Sequence, residues 1–409
     1  MSLEKLNQAL VKEVEMLKVD GRAKAPERII VEYIPPKGEW GPRYKLQGSD
    51  AEFIRMNSNS YLSLSNHPDV MKAADDATHK FGVGPGAVRF IDGTFFYHIE
   101  LEERIAKFTG KPAAKIFNSA YTANLAMALT ISNKQTYWVG DALNHNSIIR
   151  AMRIANVPRP NKAIYKHNDM ADLRQHLENI PAEMERVIII FDGIFSMRGD
   201  NAPIDEIVAI ASDYENRIQD SIITVVDDSH GIGAYGDNGR GTADFCGTDP
   251  DIIVGTFGKA FGVNGGFIAG SSELIEAVRQ KADTYIYTNP LSVADCAAAT
   301  KAIDVADSPE GKERLANLKA RTQQFRDGVA ALGMESIPGP HPVVPVVVRD
   351  TAKTHKMVQH LYDNGVLVVG LTFPVVPRGD ETMRFQLNAA HTEADVNYAL
   401  EVLENYSER

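Results

Sequence analysis

The chain has 409 residues, too many for one small core and suited to two or three packed units. Its formal net charge of −11 at pH 7 argues against a dedicated nucleic-acid binder, which needs a basic face, but leaves room for an anionic small ligand in a local pocket. With only two cysteines, Cys246 and Cys296, no disulfide framework is expected, and a reducing cytoplasm fits.

The first stretch, MSLEKLNQALVKEVEMLKVD, is charged throughout and lacks the continuous apolar core of a signal peptide. Leu3, Leu6, Leu10, Val14 and Leu17 step by three or four, which predicts an amphipathic helix packed on the protein or on a sister subunit. This helix and its extension form segment 1–60. No apolar run is long enough for a membrane span.

From about residue 100, strand-like runs (AAKIFN, TYWVGD, RVIIIFDG, SIITVVDD, DIIVGTF) alternate with helical patterns such as SIIRAMRIA and IDEIVAIASDYE. Continuous Val/Ile runs separated by helices indicate an α/β fold with a mostly parallel central sheet covered on both faces. GFIAGS follows DIIVGTF closely and is expected as an antiparallel addition. This large domain spans 61–290. Beyond it, residues 291–409 read as a smaller α+β C-terminal domain. It has a long helix over roughly 291–333, strands at HPVVPVVVRD, VLVVGL and TMRFQLNA, and a last helix signalled by the capping pattern Thr392–Asp395.

Five places could carry chemistry. Lys259 lies in GTFGKAFGVNGGF, otherwise short of charge. It is either a solvated turn residue or an amine that a confined apolar site makes easier to deprotonate and able to form a Schiff base. Asp227 and His230, in VVDDSHGIGAYG, follow a buried strand, where ligands of open α/β sheets gather. The alternative is a turn-capping Asp and a core His. Gly231, Gly233 and Gly236 match G-x-G-x-x-G, but no helix opens directly after the strand, so a dinucleotide site is not indicated.

His145 lies in a loop between Asp141, at a strand end, and a helix expected to begin near Ser147 as its N-cap. It either presents a ring to a ligand or bonds backbone. The strand-to-helix turn in KIFNSAYTANLAMAL, with a helix beginning around Ala120, leaves backbone N–H groups free to hold an anion such as phosphate, as any strand-to-helix turn of a parallel sheet can. Arg384, flanked by apolar residues in TMRFQL, needs either an internal salt bridge or a carboxylate ligand. No spacing among Asp227, Asp228, His145 and His230 matches a metal site, and no metal is expected.

Together these blocks, in the order NSNSYLSLSNHP, VRFIDGT, HIELEERIAKFTG, DALNHNSII, DGIFSM, VDDSHGIG, GTFGKA and PVVPRG…MRF…AAHT, resemble the α-oxoamine synthases. These are fold-type I, pyridoxal-phosphate-dependent acyltransferases, and the blocks stand nearest to the glycine C-acetyltransferase branch. The resemblance implies the following roles. Lys259 carries the cofactor as a Schiff base. Asp227 sits under the pyridine nitrogen, where an anion keeps that nitrogen protonated. His145 stacks on the ring. His230 and Ser196 lie near its phenolic oxygen. Ala120, Tyr121 and Thr256 hold the phosphate, and Thr288 reaches a phosphate across a homodimer interface that carries the active site. Asn59 and Arg384 receive the amino-acid carboxylate. The implied reaction is a Claisen-type condensation of a small amino acid, glycine first, with an acyl-CoA, acetyl-CoA first, releasing CoA. Other branches (serine palmitoyltransferase, 8-amino-7-oxononanoate synthase, 5-aminolevulinate synthase) are the alternative. Phe95, Phe96 and Tyr97 stand where the acetyltransferase pattern has smaller or polar residues, which bears on acyl length. From other classes stand a CoA-independent fold-type I aldolase or aminotransferase, a cofactor-binding regulator and a nucleotide-dependent dehydrogenase. The regulator is disfavoured by the acidic charge and the absence of a flanking DNA-binding module.

Overall fold

The structure, a computed structural model, describes residues 2–155 and 157–407. The strands in chain order are β1 (Ile30–Ile34), β2 (Arg43–Leu46), β3 (Glu52–Arg55), β4 (Ala113–Phe117), β5 (Thr136–Asp141), β6 (Lys162–Tyr165), β7 (Arg186–Asp192), β8 (Ser221–Asp227), β9 (Ile252–Thr256), β10 (Gly266–Gly270), β11 (Val343–Val347), β12 (Val366–Leu367), β13 (Val369–Leu371) and β14 (Thr382–Gln386).

The chain divides into two compact units, Asn59–Leu318 and Met1–Ser58 with Lys319–Arg409. This division differs from the expected boundaries. The N-terminal segment groups with the C-terminal one because β12 adds to β3 in parallel and completes the sheet β1-β2-β3-β12. Residues 291–318 group with the larger unit, where the helix Val293–Ala306 packs on the helices Pro68–Phe81 and Phe96–Thr109. The buried residues of that helix are mostly alanine (Ala297, Ala298, Ala299, Ala302 and Ala306), which permits close approach.

The larger unit holds a seven-stranded sheet in the order β4-β10-β9-β8-β7-β5-β6. The strands β5 to β9 pair in parallel, and β10 runs antiparallel to both its neighbours, as the sequence suggested for GFIAGS. It is an interior strand rather than an edge. Glycine makes that placement feasible: a Cβ on Gly266 would collide with Ala120 N and with the backbone of Ser119. Every residue of RVIIIFD in β7 except Arg186 is buried, as are all six of TYWVGD in β5. Sheets covered on both faces read this way. Since β5, β7, β8 and β9 are parallel, Asp141, Asp192, Asp227 and Thr256 all end strands along one edge.

In the smaller unit, β11-β14-β13 form an antiparallel sheet. VLVVGL, read as one strand, is split into β12 and β13, which belong to different sheets. The helix expected over 291–333 is two helices, Val293–Ala306 and Pro309–Ala331, because proline cannot continue a helix already running and disfavours helical geometry in the residue before it. The last helix, Glu393–Glu404, starts as expected: Thr392 Oγ1 accepts from Asp395 N, and Asp395 Oδ2 accepts from Thr392 N. The N-terminal helix Ser2–Val19 keeps its stripe, but within the chain Leu3, Leu6, Leu10, Val14 and Leu17 are exposed. Among the described residues no helix is long and apolar enough to cross a membrane, and no group of three or more His, Cys, Asp or Glu residues is placed to hold a metal ion.

Candidate active site

Asp227 closes β8 and is buried. A buried carboxylate needs donors, and two are supplied. Asn124 Nδ2 donates to Oδ2 at 2.6 Å and Ser229 N to Oδ1 at 3.1 Å. The register of β7 and β8 sets Asp192 beside Asp227. Asp192 accepts the His145 amide at 2.6 Å and donates its own N–H to Asn144 Oδ1 at 3.0 Å. Burial raises its pKa well above the ordinary carboxyl range, and the charge of Asp227 adds to the rise.

His145, not Ser147, is the N-cap of the helix Asn146–Ile154. Its Nδ1 accepts from Ser147 N at 3.3 Å and meets Ser147 Oγ at 2.8 Å. An acceptor Nδ1 fixes the neutral ring with its proton on Nε2. The residue keeps an open surface, but protein packed around the ring disfavours its charge and lowers its pKa; Asp227 opposes this effect and Lys259 adds to it.

Lys259 lies in the turn after β9 and is half-buried. Its charge acts on His145, Asp192 and Asp228, so it shares their electrostatic neighbourhood. Asp228 faces away into the protein: Thr242 donates to it from Oγ1 at 2.6 Å and from N at 2.8 Å, while burial lifts its pKa to about 7. This carboxyl also accounts for two of the glycines, because a Cβ at Gly231 or Gly241 would collide with its oxygens. Of the glycines in the G-x-G-x-x-G pattern, Gly231 packs on Asp228, Gly233 on Ala260 and Phe261, and Gly236 on Asp244, and they lie in a loop and do not open a helix.

His230 is buried, and its Nδ1 lies 2.7 Å from Tyr61 Oη; the same hydroxyl lies 3.4 Å from Asn59 Oδ1. Ser196 is half-buried in the turn Phe195–Gly199. At the other side of β10, Ser119 caps the helix Ala120–Ile131 by accepting from Thr122 N at 3.1 Å. The amides of Ala120 and Tyr121 stand in the first turn, where a helix offers no internal acceptor. Thr256 Oγ1 donates to Gly265 O at 2.9 Å and accepts from Gly258 N at 3.0 Å, which fixes the turn that carries Lys259. Thr288 lies beside Asn289, whose carbonyl accepts from Asn118 Nδ2 at 2.9 Å. Arg384 is on β14 of the smaller unit, with Nη2 3.4 Å from Gln386 Oε1. Phe95 and Tyr97 both pack edge-on against Phe81, at 5.6 and 5.8 Å between ring centres, whereas Phe96 is exposed.

Four contributors escaped the sequence reading: Tyr61, Asn124, Ser147 through its hydroxyl, and Asp192. Asn124 left a signal, a lone amide within the apolar stretch NLAMALTI. The donor set suits a phosphorylated pyridine aldehyde. There is a buried acceptor for a ring N–H, an amine nearby, a helix start for the phosphate, and two buried atoms, Asn124 Oδ1 and Ser229 Oγ, that make no hydrogen bond.

The sequence pattern of the aminotransferase class I and II family matches residues 51–403. The chain belongs to that family. It is 37% identical over 376 residues to the 8-amino-7-oxononanoate synthase of Thermosipho melanesiensis, covering 91% of this chain and 92% of the relative. The enzyme of the same name from Thermoanaerobacter pseudethanolicus is 37% identical over 366 residues, covering 89% of each. Among solved structures, the serine palmitoyltransferase of S. paucimobilis superposes with a TM-score of 0.84 at 28% identity, covering 97% of this chain and 96% of that one. Within the family the chain is an α-oxoamine synthase of fold type I, a pyridoxal-phosphate-dependent acyltransferase.

Proposed function

We propose that this chain joins a small amino acid to an acyl-CoA thioester at Cα, with alanine and an ω-carboxyacyl donor as its preferred pair. The observation that carries the choice is the likeness to 8-amino-7-oxononanoate synthases over nine-tenths of the chain. Read backwards, that product divides into alanine less its carboxylate and a pimeloyl group. One alanine and one pimeloyl-CoA then give product, carbon dioxide and free CoA. The comparisons favour this over glycine with acetyl-CoA, which the motif blocks had suggested.

The cofactor is pyridoxal phosphate, which supplies when bound an aldehyde for amines and a protonated ring that delocalises an electron pair at Cα. The residues act around it as follows. The Ala120 and Tyr121 amides, with the Thr256 hydroxyl, receive the phosphate at the positive end of the helix. Asp227, held by Asn124 and Ser229, keeps a proton on the ring nitrogen through its charge. The neutral His145 ring would lie against the group, as the family resemblance assigns, and exclude water there. His230 and Ser196 stand as polar partners for the phenolic oxygen, with Tyr61 orienting His230. The Lys259 amine would hold the aldehyde and, when free, would serve as the base that takes the Cα proton. Asn59 and Arg384 are assigned the substrate carboxylate on the family resemblance, as Thr288 is assigned a phosphate contact across a homodimer interface.

The test compares kcat/KM for acetyl-, pimeloyl- and palmitoyl-CoA with alanine, glycine and serine. Alanine with pimeloyl-CoA is expected to lead. A lead for glycine with acetyl-CoA restores the acetyltransferase reading, and no CoA release with any donor favours the CoA-independent class.

A further inference from the structure

His167 follows β6 and takes no part in the site described above. Its ring lies between two carboxylates, Asp141 at the end of β5 and Asp200 in the loop after β7. Nδ1 is 3.1 Å from Asp141 Oδ1 and Nε2 is 3.2 Å from Asp200 Oδ2. A carboxylate accepts and does not donate, so an imidazole that meets one at each nitrogen is a donor at both and carries a positive charge. The ring is further fixed by an edge contact to Phe195, 4.4 Å between centres at 83°.

Each carboxylate fastens a loop that bears a cofactor-facing residue. Asp141 accepts from Leu143 N at 2.8 Å and from Asn168 N at 2.9 Å, which shapes the turn leading to His145. Asp200 accepts from Arg198 Nε at 2.8 Å, and its carbonyl accepts from Phe195 N at 3.0 Å, which closes the turn that holds Ser196. Asn168 ties the same two places again, with Nδ2 donating to Asn201 O at 3.1 Å. We propose that protonated His167 is a positioning residue, a charged strut that sets the loop of His145 against the loop of Ser196 and so gives the cofactor site its width. The proposal rests on the reading of those two residues as cofactor-facing.

The charged groups around the ring are Asp141, Asp200 and Arg198, and the charge of Asp141 also adds to the raised pKa of Asp192. Burial works against the charge on His167, but the hydrogen bonds it donates to Asp141 and Asp200 outweigh it and lift the pKa to about 9. Burial would also raise Asp200, and His167 and Arg198 overturn that to a net lowering. The folded pKa of His167 lies above its unfolded value. Its stabilising contribution is therefore fully present below about 6.5 and declines above that, while the charged strut itself is lost as pH rises through about 9.

The test combines NMR titration of labelled histidine with amide hydrogen exchange in the cofactor-free protein, and pyridoxal phosphate titration of the same samples. His167 should remain doubly protonated at pH 8. His167→Gln should speed exchange in both 142–147 and 193–201, as wild type does above about pH 9. It should weaken pyridoxal phosphate binding by about ten- to a hundredfold, by analogy with the loss of groups that orient metal ligands from behind. His167→Lys, which keeps the charge, should restore both loops. Titration of His167 near its ordinary value, a response in one loop only, or no rescue by lysine would overturn the strut. A wild-type chain that takes up no pyridoxal phosphate would refute the cofactor reading instead, while titration and exchange still decide the strut.

Discussion

Asp192 and Asp227 end neighbouring parallel strands in register, and each is held by a different set of donors. The His145 amide donates to the first, and Asn124 and Ser229 donate to the second. Two carboxyls so close cannot both be ionised cheaply. Asp192 is the one raised by burial and by its neighbour's charge. A carboxyl whose folded pKa lies above its unfolded value costs stability as pH rises past the unfolded value. Asp192→Asn keeps an acceptor for the His145 amide and removes that cost. Denaturant titrations should find the variant more stable than wild type at pH 8, with the difference fading as pH falls toward the ordinary carboxyl range. A deficit at pH 8 would contradict the assignment.

Asp227→Asn should fold but lose the negative charge that keeps the ring nitrogen protonated. Exchange of the amino-acid Cα proton with solvent, followed by NMR, should slow by about two orders of magnitude or more, the scale of a lost electrostatic contact at a reacting centre. Wild-type exchange would count against this role.

Arg384→Ala should raise the amino-acid KM strongly while leaving cofactor content near wild type. Removing one partner of a charge-assisted pair costs roughly 2–5 kcal/mol, about 30-fold to several thousandfold in affinity. Arg384→Lys should recover little, since an ammonium lacks the planar fork. An unchanged KM in the alanine variant would remove Arg384 from substrate binding.

Sedimentation should show a homodimer at assay concentration, with Thr288 supplying a phosphate contact to the partner's site. A fully active monomer would exclude that arrangement.

The legible part of this protein was whatever neighbouring residues encode. The Val/Ile runs of β7 and β8 marked buried parallel strands, and the polar residues just past them marked the chemical edge of the sheet. Pairings between distant segments were less legible. Asp192 matters because register sets it beside Asp227, and Tyr61 because its hydroxyl meets His230; nothing local to either residue announces this. The break before Pro309 could have been read from its proline, but the helical pattern on both sides concealed it. VLVVGL gives no local sign that its two halves serve different sheets. The Ser147 cap was misplaced because a serine before an apolar run is the commoner cap, whereas here the His145 ring accepts the amide.

The central claim is that Lys259 is the amine that carries the cofactor. Borohydride reduction of the holoenzyme followed by peptide mapping tests it most directly. The account predicts a single stable label on Lys259, absent in Lys259→Ala together with turnover. A label on any other lysine, or Lys259→Ala at wild-type turnover, would contradict it.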